Sequence, residues 1–141
     1  MLRGEHLLLH YSRTQQVVSL SSAEAELHGL CKAASEGLAA VNMAAELYTP
    51  LELRLLTDSS AARGIVQRAG CGKVKHLDVK SLWLQEREAK GDLSTEKIPR
   101  LQNCADLLTH HFSEPEADLH LARMSVERRR DFIDAPARGG Q

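Results

Sequence analysis

Three acidic residues have the types and surroundings that a hydrolytic metal site requires. Glu26 follows Ser21-Ser22-Ala23-Glu24-Ala25 at the start of a helical pattern, and Asp58 ends the apolar run Leu53-Arg54-Leu55-Leu56-Thr57. Asp106 lies further on, in Cys104-Ala105-Asp106-Leu107-Leu108-Thr109. Hard cations such as Mg2+ bind carboxylate oxygens and keep several waters, so a few acids converging on one pocket suffice to hold them. Each acid also has a plainer reading. A Glu in a helix's first turn complements the dipole, an Asp before a helix caps it, and a lone downstream Asp is a surface acid. Glu24 rivals Glu26, but it stands three residues after Ser21 in a capping-box pattern, which gives it a structural task.

The elements that would position these acids follow from punctuation and period. His6 to Tyr11 reads as a short strand bounded by Gly4 and by polar residues from Ser12. Leu27, Leu30, Cys31, Ala34, Leu38, Val41 and Ala45 share one helical stripe after the Ser21 cap, and Pro50 is expected to end it. Glu52 to Thr57 is the next strand, Asp58 or Ser59 caps a helix carrying Ile65 and Val66, and Gly70 and Gly72 close that helix. A basic loop Lys73-Val74-Lys75-His76 leads to a helix from Leu77 to Lys90, then to a strand from Leu93 to Ile98 that Pro99 stops. Two strands joined by a helical crossover imply a parallel pair. Short helices are expected around Asn103 to Thr109 and from Ser113, and residues 127–141 read as a solvated tail after a single domain over 1–126.

Composition bounds the function. The chain has 141 residues, 43% of them apolar, enough for one core, and a formal net charge of −1 that gives no global pull toward nucleic acid. A nucleic-acid surface must therefore be local, and Ser59, Arg63, Lys73, Lys75 and Lys80 are its candidates; the plainer reading of these cations is helix solubility. Cys31, Cys71 and Cys104 are odd in number and lack zinc-like spacing, with or without His110-His111, which suits a reducing, intracellular setting in the cytoplasm or nucleus. No apolar run is long enough to span a bilayer, so no membrane partner is expected.

Taken in order, Val18-Ser19-Leu20-Ser21-Ser22-Ala23-Glu24-Ala25-Glu26, Thr57-Asp58-Ser59-Ser60-Ala61, Lys75-His76-Leu77-Asp78-Val79, Leu84-Gln85-Glu86, Ile98-Pro99 and Cys104-Ala105-Asp106-Leu107-Leu108-Thr109 resemble the ribonuclease H domain of copia-type retrotransposon Pol polyproteins. The resemblance covers roughly residues 6 to 125. It implies an α/β ribonuclease H-like fold and hydrolysis of the RNA strand of RNA–DNA hybrids during reverse transcription, beside the reverse transcriptase portion of the same polyprotein. It further implies two Mg2+ or Mn2+ ions, which in such sites lie about 3.5–4 Å apart. Glu26, Asp58 and Asp106 are the implied catalytic and metal-binding acids, with His76 of the Lys-His-x-Asp signature as a further catalytic candidate. No residue here matches the family's first aspartate or its two leading strands, and His110 replaces a family lysine. The expectation is accordingly a sheet of about three strands and an isolated chain without activity. His6 to Tyr11 would move in beside Leu53 to Thr57, because an unpaired strand edge is costly to leave uncovered. The competing readings are a non-catalytic nucleic-acid-binding remnant and an α/β interaction domain.

Overall fold

The computed structural model describes residues 1–12, 18–70, 79–109 and 111–126. Among these, four α-helices and four short strands form a mixed α/β chain, organised as two compact units: Met1–Ser12 with Cys104–Gln141, and Arg13–Asn103.

The central unit is built on α1, Ser22–Glu46. Ser21 caps it, its hydroxyl accepting the Glu24 N–H at 3.2 Å, while Glu24 Oε2 accepts the Leu20 N–H at 2.8 Å. Glu24 therefore has the structural task its spacing suggests. Leu27, Leu30, Cys31 and Ala34 are buried and Leu38 packs against them, so the N-terminal half of the apolar stripe faces the core. The stripe then runs off the core: Ala45 is exposed, and so are its neighbours Met43 and Leu47. Pro50 does not end the helix. It stops at Glu46, four residues earlier, because Tyr48 turns into the left-handed region at φ 55° and the last carbonyls are satisfied locally. The Tyr48 N–H donates to the Ala45 carbonyl at 3.0 Å and the Thr49 N–H to the Ala44 carbonyl at 2.8 Å, a Schellman pattern with tyrosine in the glycine position.

β3, Arg54–Thr57, pairs in parallel with β4, Ser94–Lys97, in the register Arg54 to Ser94 through Thr57 to Lys97. The crossover carries α2, Ser60–Val66, and α3, Val79–Lys90. The parallel pair expected from the helical crossover is thus present. Leu55, Thr57 and Thr95 point into the core with Ala62, Ile65, Val66, Leu84 and Leu93, whereas Leu56 on the opposite face is 49% exposed. α1 packs against α2, α3 and β3. Gly37 of α1 lies so close to Leu53 that an added Cβ would fall 2.5 Å from Leu53 Cδ1, which explains a glycine in the middle of a long helix.

Buried polar groups tie α3 to its neighbours. Gln85 is only 7% exposed. Its Nε2 donates to the carbonyls of Ile65 (2.8 Å) and Gly70 (3.1 Å), and its Oε1 accepts the Gly70 N–H (3.0 Å). Glu88 plays the matching part for β4: its carboxylate accepts the Thr95 hydroxyl (2.6 Å), the Thr95 N–H (3.2 Å) and the Gln67 amide (3.3 Å). Gly91, at φ 78°, ends α3 in the left-handed conformation, as the turn at Gly91-Asp92 requires.

The other unit opens with a hairpin, β1 Leu2–Arg3 against β2 His6–Leu7, turned by Gly4 at φ 59°. The strand read over His6 to Tyr11 is therefore limited to its first two residues. Neither it nor any other described strand lies beside the second edge of β3: the ladder is β3 with β4 alone, and the hairpin forms a separate two-stranded sheet. A single sheet of about three strands is corrected to two sheets of two. The physical reason is local, since a two-residue turn joins Leu2-Arg3 to His6-Leu7 and a local partner closes with less loop entropy than a distant one. The segment around Asn103 to Thr109 is a 3-10 turn over Cys104–Leu108, and α4 spans Glu114–Arg123. α4 starts with a capping box between Ser113 and Glu116 and has Pro115 in its first turn. No described helix is long and apolar enough to cross a membrane.

Candidate functional site

The carboxyl end of the β3–β4 pair carries Thr57, Asp58 and Lys97, with Ser59 and Ser60 following at the start of α2. Hydroxyls shape the turn from β3 into α2. Thr57, buried, accepts the Ser59 N–H on Oγ1 at 3.1 Å, and Ser59 Oγ accepts the Ala62 N–H at 3.2 Å as the N-cap of α2. Sequence alone leaves the cap to either Asp58 or Ser59, and the structure assigns it to Ser59. Asp58, half-buried between these two hydroxyl-bearing residues, is released from capping, and no described residue donates a hydrogen bond to its carboxylate. Lys97 closes β4 in register with Thr57, and its ammonium donates to the Ser60 hydroxyl.

The remaining candidates distribute as follows. Glu26 sits exposed in α1, one residue before the buried Leu27. Arg63 is half-buried on α2, with its Nε enclosed and lacking an acceptor among the described residues. Lys80 is exposed in the first turn of α3, where its carbonyl accepts the Cys31 thiol at 3.5 Å. Asp106 belongs to the other unit. It is half-buried in the 3-10 turn, where its carbonyl accepts both the Thr109 N–H (2.9 Å) and hydroxyl (3.3 Å). His76, Lys73 and Lys75 lie outside the described residues.

Hard-cation chemistry can be tested against these positions. Asp58 offers carboxylate oxygens without a competing protein donor, the kind of ligand magnesium takes. Among the described residues, however, no group of three or more His, Cys, Asp or Glu side chains is arranged to hold an ion. The donor type fits, and the donor set is incomplete.

Cys104 shows what a thiol in the second unit can do. Burial pushes its pKa up, only partly opposed by Arg123, and its Sγ lies 4.0 Å from the His120 carbonyl. A thiol held protonated is a poor nucleophile and a poor metal ligand. His120, 3% exposed, stacks edge-on against Phe112 with ring centroids 4.9 Å apart, which makes it a core residue of that unit.

Two features escape the sequence reading. Lys97 is a lysine in a short polar strand, and only the register with β3 brings it to the Asp58 turn. Gln85 stands in the Leu84-Gln85-Glu86 motif and Glu88 just beyond it, but the motif does not disclose their inward bonding; the available signal is that Ser81, Leu84, Gln85 and Glu88 share one helical face, so a polar residue there must find partners inside. Compared with known proteins, the chain matches no family model, no curated protein and no solved structure.

Proposed function

We propose that this chain is a ribonuclease H-like domain of a copia-type retrotransposon polyprotein, acting on RNA–DNA hybrids alongside the reverse transcriptase portion of that polyprotein inside the cell. One observation carries the reading. Asp58 stands at the carboxyl end of a strand in a parallel pair, where α/β folds bind their ligands, and Ser59 has taken over the capping that would otherwise account for it. A half-buried acid with no described donor has no structural explanation of its own and suits a cation or a polarised water.

Glu26 and Asp106 join Asp58 in this reading by resemblance alone, and further ligands must come from beyond the set that the described residues bring together. A bound magnesium pair would supply an activated water and stabilise the leaving oxygen. The chain's own contribution is the fixed carboxylate, the hydroxyl-lined turn that orients it, and the nearby cationic side chains that meet phosphates. No residue of the chain matches the family's first aspartate, so these 141 residues alone are expected to bind hybrids without cleaving them.

The test is hybrid binding by fluorescence anisotropy, with and without magnesium. In EDTA the Asp58 carboxylate repels phosphate, so Asp58→Asn is expected to tighten binding. With millimolar magnesium the wild-type chain gains affinity and Asp58→Asn does not. Identical magnesium responses in the two proteins would remove Asp58 from any cation site and leave a nucleic-acid-binding remnant; no hybrid binding at all would leave an interaction domain.

A further inference from the structure

We propose that Lys97 is the phosphate-contacting residue of this site, the positive charge that seats a nucleic-acid backbone across the Asp58 turn. The inference rests on the nucleic-acid reading above and adds to it a residue that neither charge runs nor motif spacing single out.

The charge pattern of the central unit bears on Lys97. Among the described residues, four of its eight other cations meet carboxylates: Lys32 bonds Glu36 at 2.6 Å, Lys90 bonds Glu86 at 2.5 Å, Arg87 bonds Asp92 at 2.9 Å, and Arg54 reaches Glu96 at 4.0 Å. These pairs quench their own charge. Lys97 instead donates to Ser60, a neutral hydroxyl, and no described carboxylate pairs with it. A hydroxyl holds an ammonium in place without neutralising it, and two of the three ammonium donors remain for another acceptor.

Position supplies the second argument. Lys97 is the last residue of β4, and its Cα is in register with Thr57, immediately before Asp58. Its partner Ser60 opens α2, and helical spacing places Arg63 one turn further along the same face. A cation held on Ser60, at the carboxyl ends of parallel strands where a turn also carries Asp58, suits a phosphodiester: the phosphate oxygens meet the ammonium while the carboxylate faces the scissile side. Lysine serves there as a mobile point charge able to follow the backbone.

The experiment measures how the affinity of the full chain for a fluorescein-labelled RNA–DNA hybrid falls with salt concentration. Each phosphate neutralised contributes about 0.9 to the slope of log K against log salt on a duplex. Lys97→Gln is expected to reduce the slope by about that amount and to weaken low-salt binding several-fold. Lys97→Arg and Ser60→Ala, which keep the cation, retain the wild-type slope, and so does Lys90→Gln, which removes a charge already paired with Glu86. Thermal melts followed through Trp83 check that each variant folds. A folded Lys97→Gln chain that binds with the wild-type slope overturns the proposal while leaving the nuclease reading intact. Ser60→Ala losing as much slope as Lys97→Gln overturns it too, since the turn rather than the charge would then be responsible. A wild-type chain with no salt-dependent binding overturns both.

Discussion

Replacing Gln85 with alanine should destabilise the central unit more than any other change at a polar side chain of α3. Gln85 makes three hydrogen bonds, and a typical net contribution of about 0.5–1.5 kcal/mol each gives about 1.5–4.5 kcal/mol. Gly70 is exposed, so water can replace the two bonds made to it; the Ile65 carbonyl belongs to a buried residue, and leaving such a group unsatisfied costs about 1–3 kcal/mol. Truncation also leaves a small void where the buried Gln85 side chain stood. The expected loss is therefore about 2–3 kcal/mol, dominated by the Ile65 carbonyl. With a urea dependence of about 1–3 kcal/mol per molar, the unfolding midpoint should fall by about 1–2 M. Trp83 is the only tryptophan and lies on α3, so its fluorescence reports the central unit by itself. Gln85→Glu provides a second measure, because it keeps the volume but trades the Nε2 donor for an oxygen that repels the Ile65 carbonyl. A midpoint shift below about 0.3 M for Gln85→Ala would refute the view that this side chain holds the end of α2.

Two further outcomes follow from helix ends. Tyr48 occupies the left-handed position after α1 and is 96% exposed, so Tyr48→Gly removes steric strain at little loss of packing; it should stabilise by about 0.5–1 kcal/mol, read as a higher urea midpoint. The Glu116 carboxylate at the start of α4 is held below its ordinary 4.5 by the Ser113 hydroxyl, then by the Ser113 N–H. A carboxylate whose pKa is depressed on folding contributes its stability above the ordinary value and loses it as pH falls through the folded one. Helical circular dichroism from α4 should therefore decline below pH 4.5, and Glu116→Gln should lack that acid-dependent step.

What the sequence discloses differs by element. Capping patterns are local, and Ser21 with Glu24, and Ser113 with Pro115, mark helix starts that the structure reproduces. The parallel relation of β3 and β4 follows from chain connectivity. The end of α1 does not, because a left-handed tyrosine is rare enough that Pro50 looked the stronger stop. The fate of His6 to Tyr11 was equally hidden: an apolar run says that a strand wants a partner, not which one, and the Gly4-Glu5 turn supplied Leu2-Arg3. At the site, Asp58 was legible from the strand that delivers it. Lys97 was not, since its place beside Ser60 depends on inter-strand register, which no local pattern encodes.

The unit that joins the hairpin to α4 has a temporal side. Leu7 donates its N–H to the Met124 carbonyl at 3.3 Å, so a segment translated before the central unit is completed only by one translated after it. Arg13–Asn103 lies between them as a continuous stretch, with its own core and all of the β3–β4 ladder. During synthesis that stretch can condense while the opening hairpin still waits for α4. A ribosome paused before Cys104 would therefore display a folded centre preceded by an unfinished hairpin, with the apolar Leu8 and Leu9 open to chaperones.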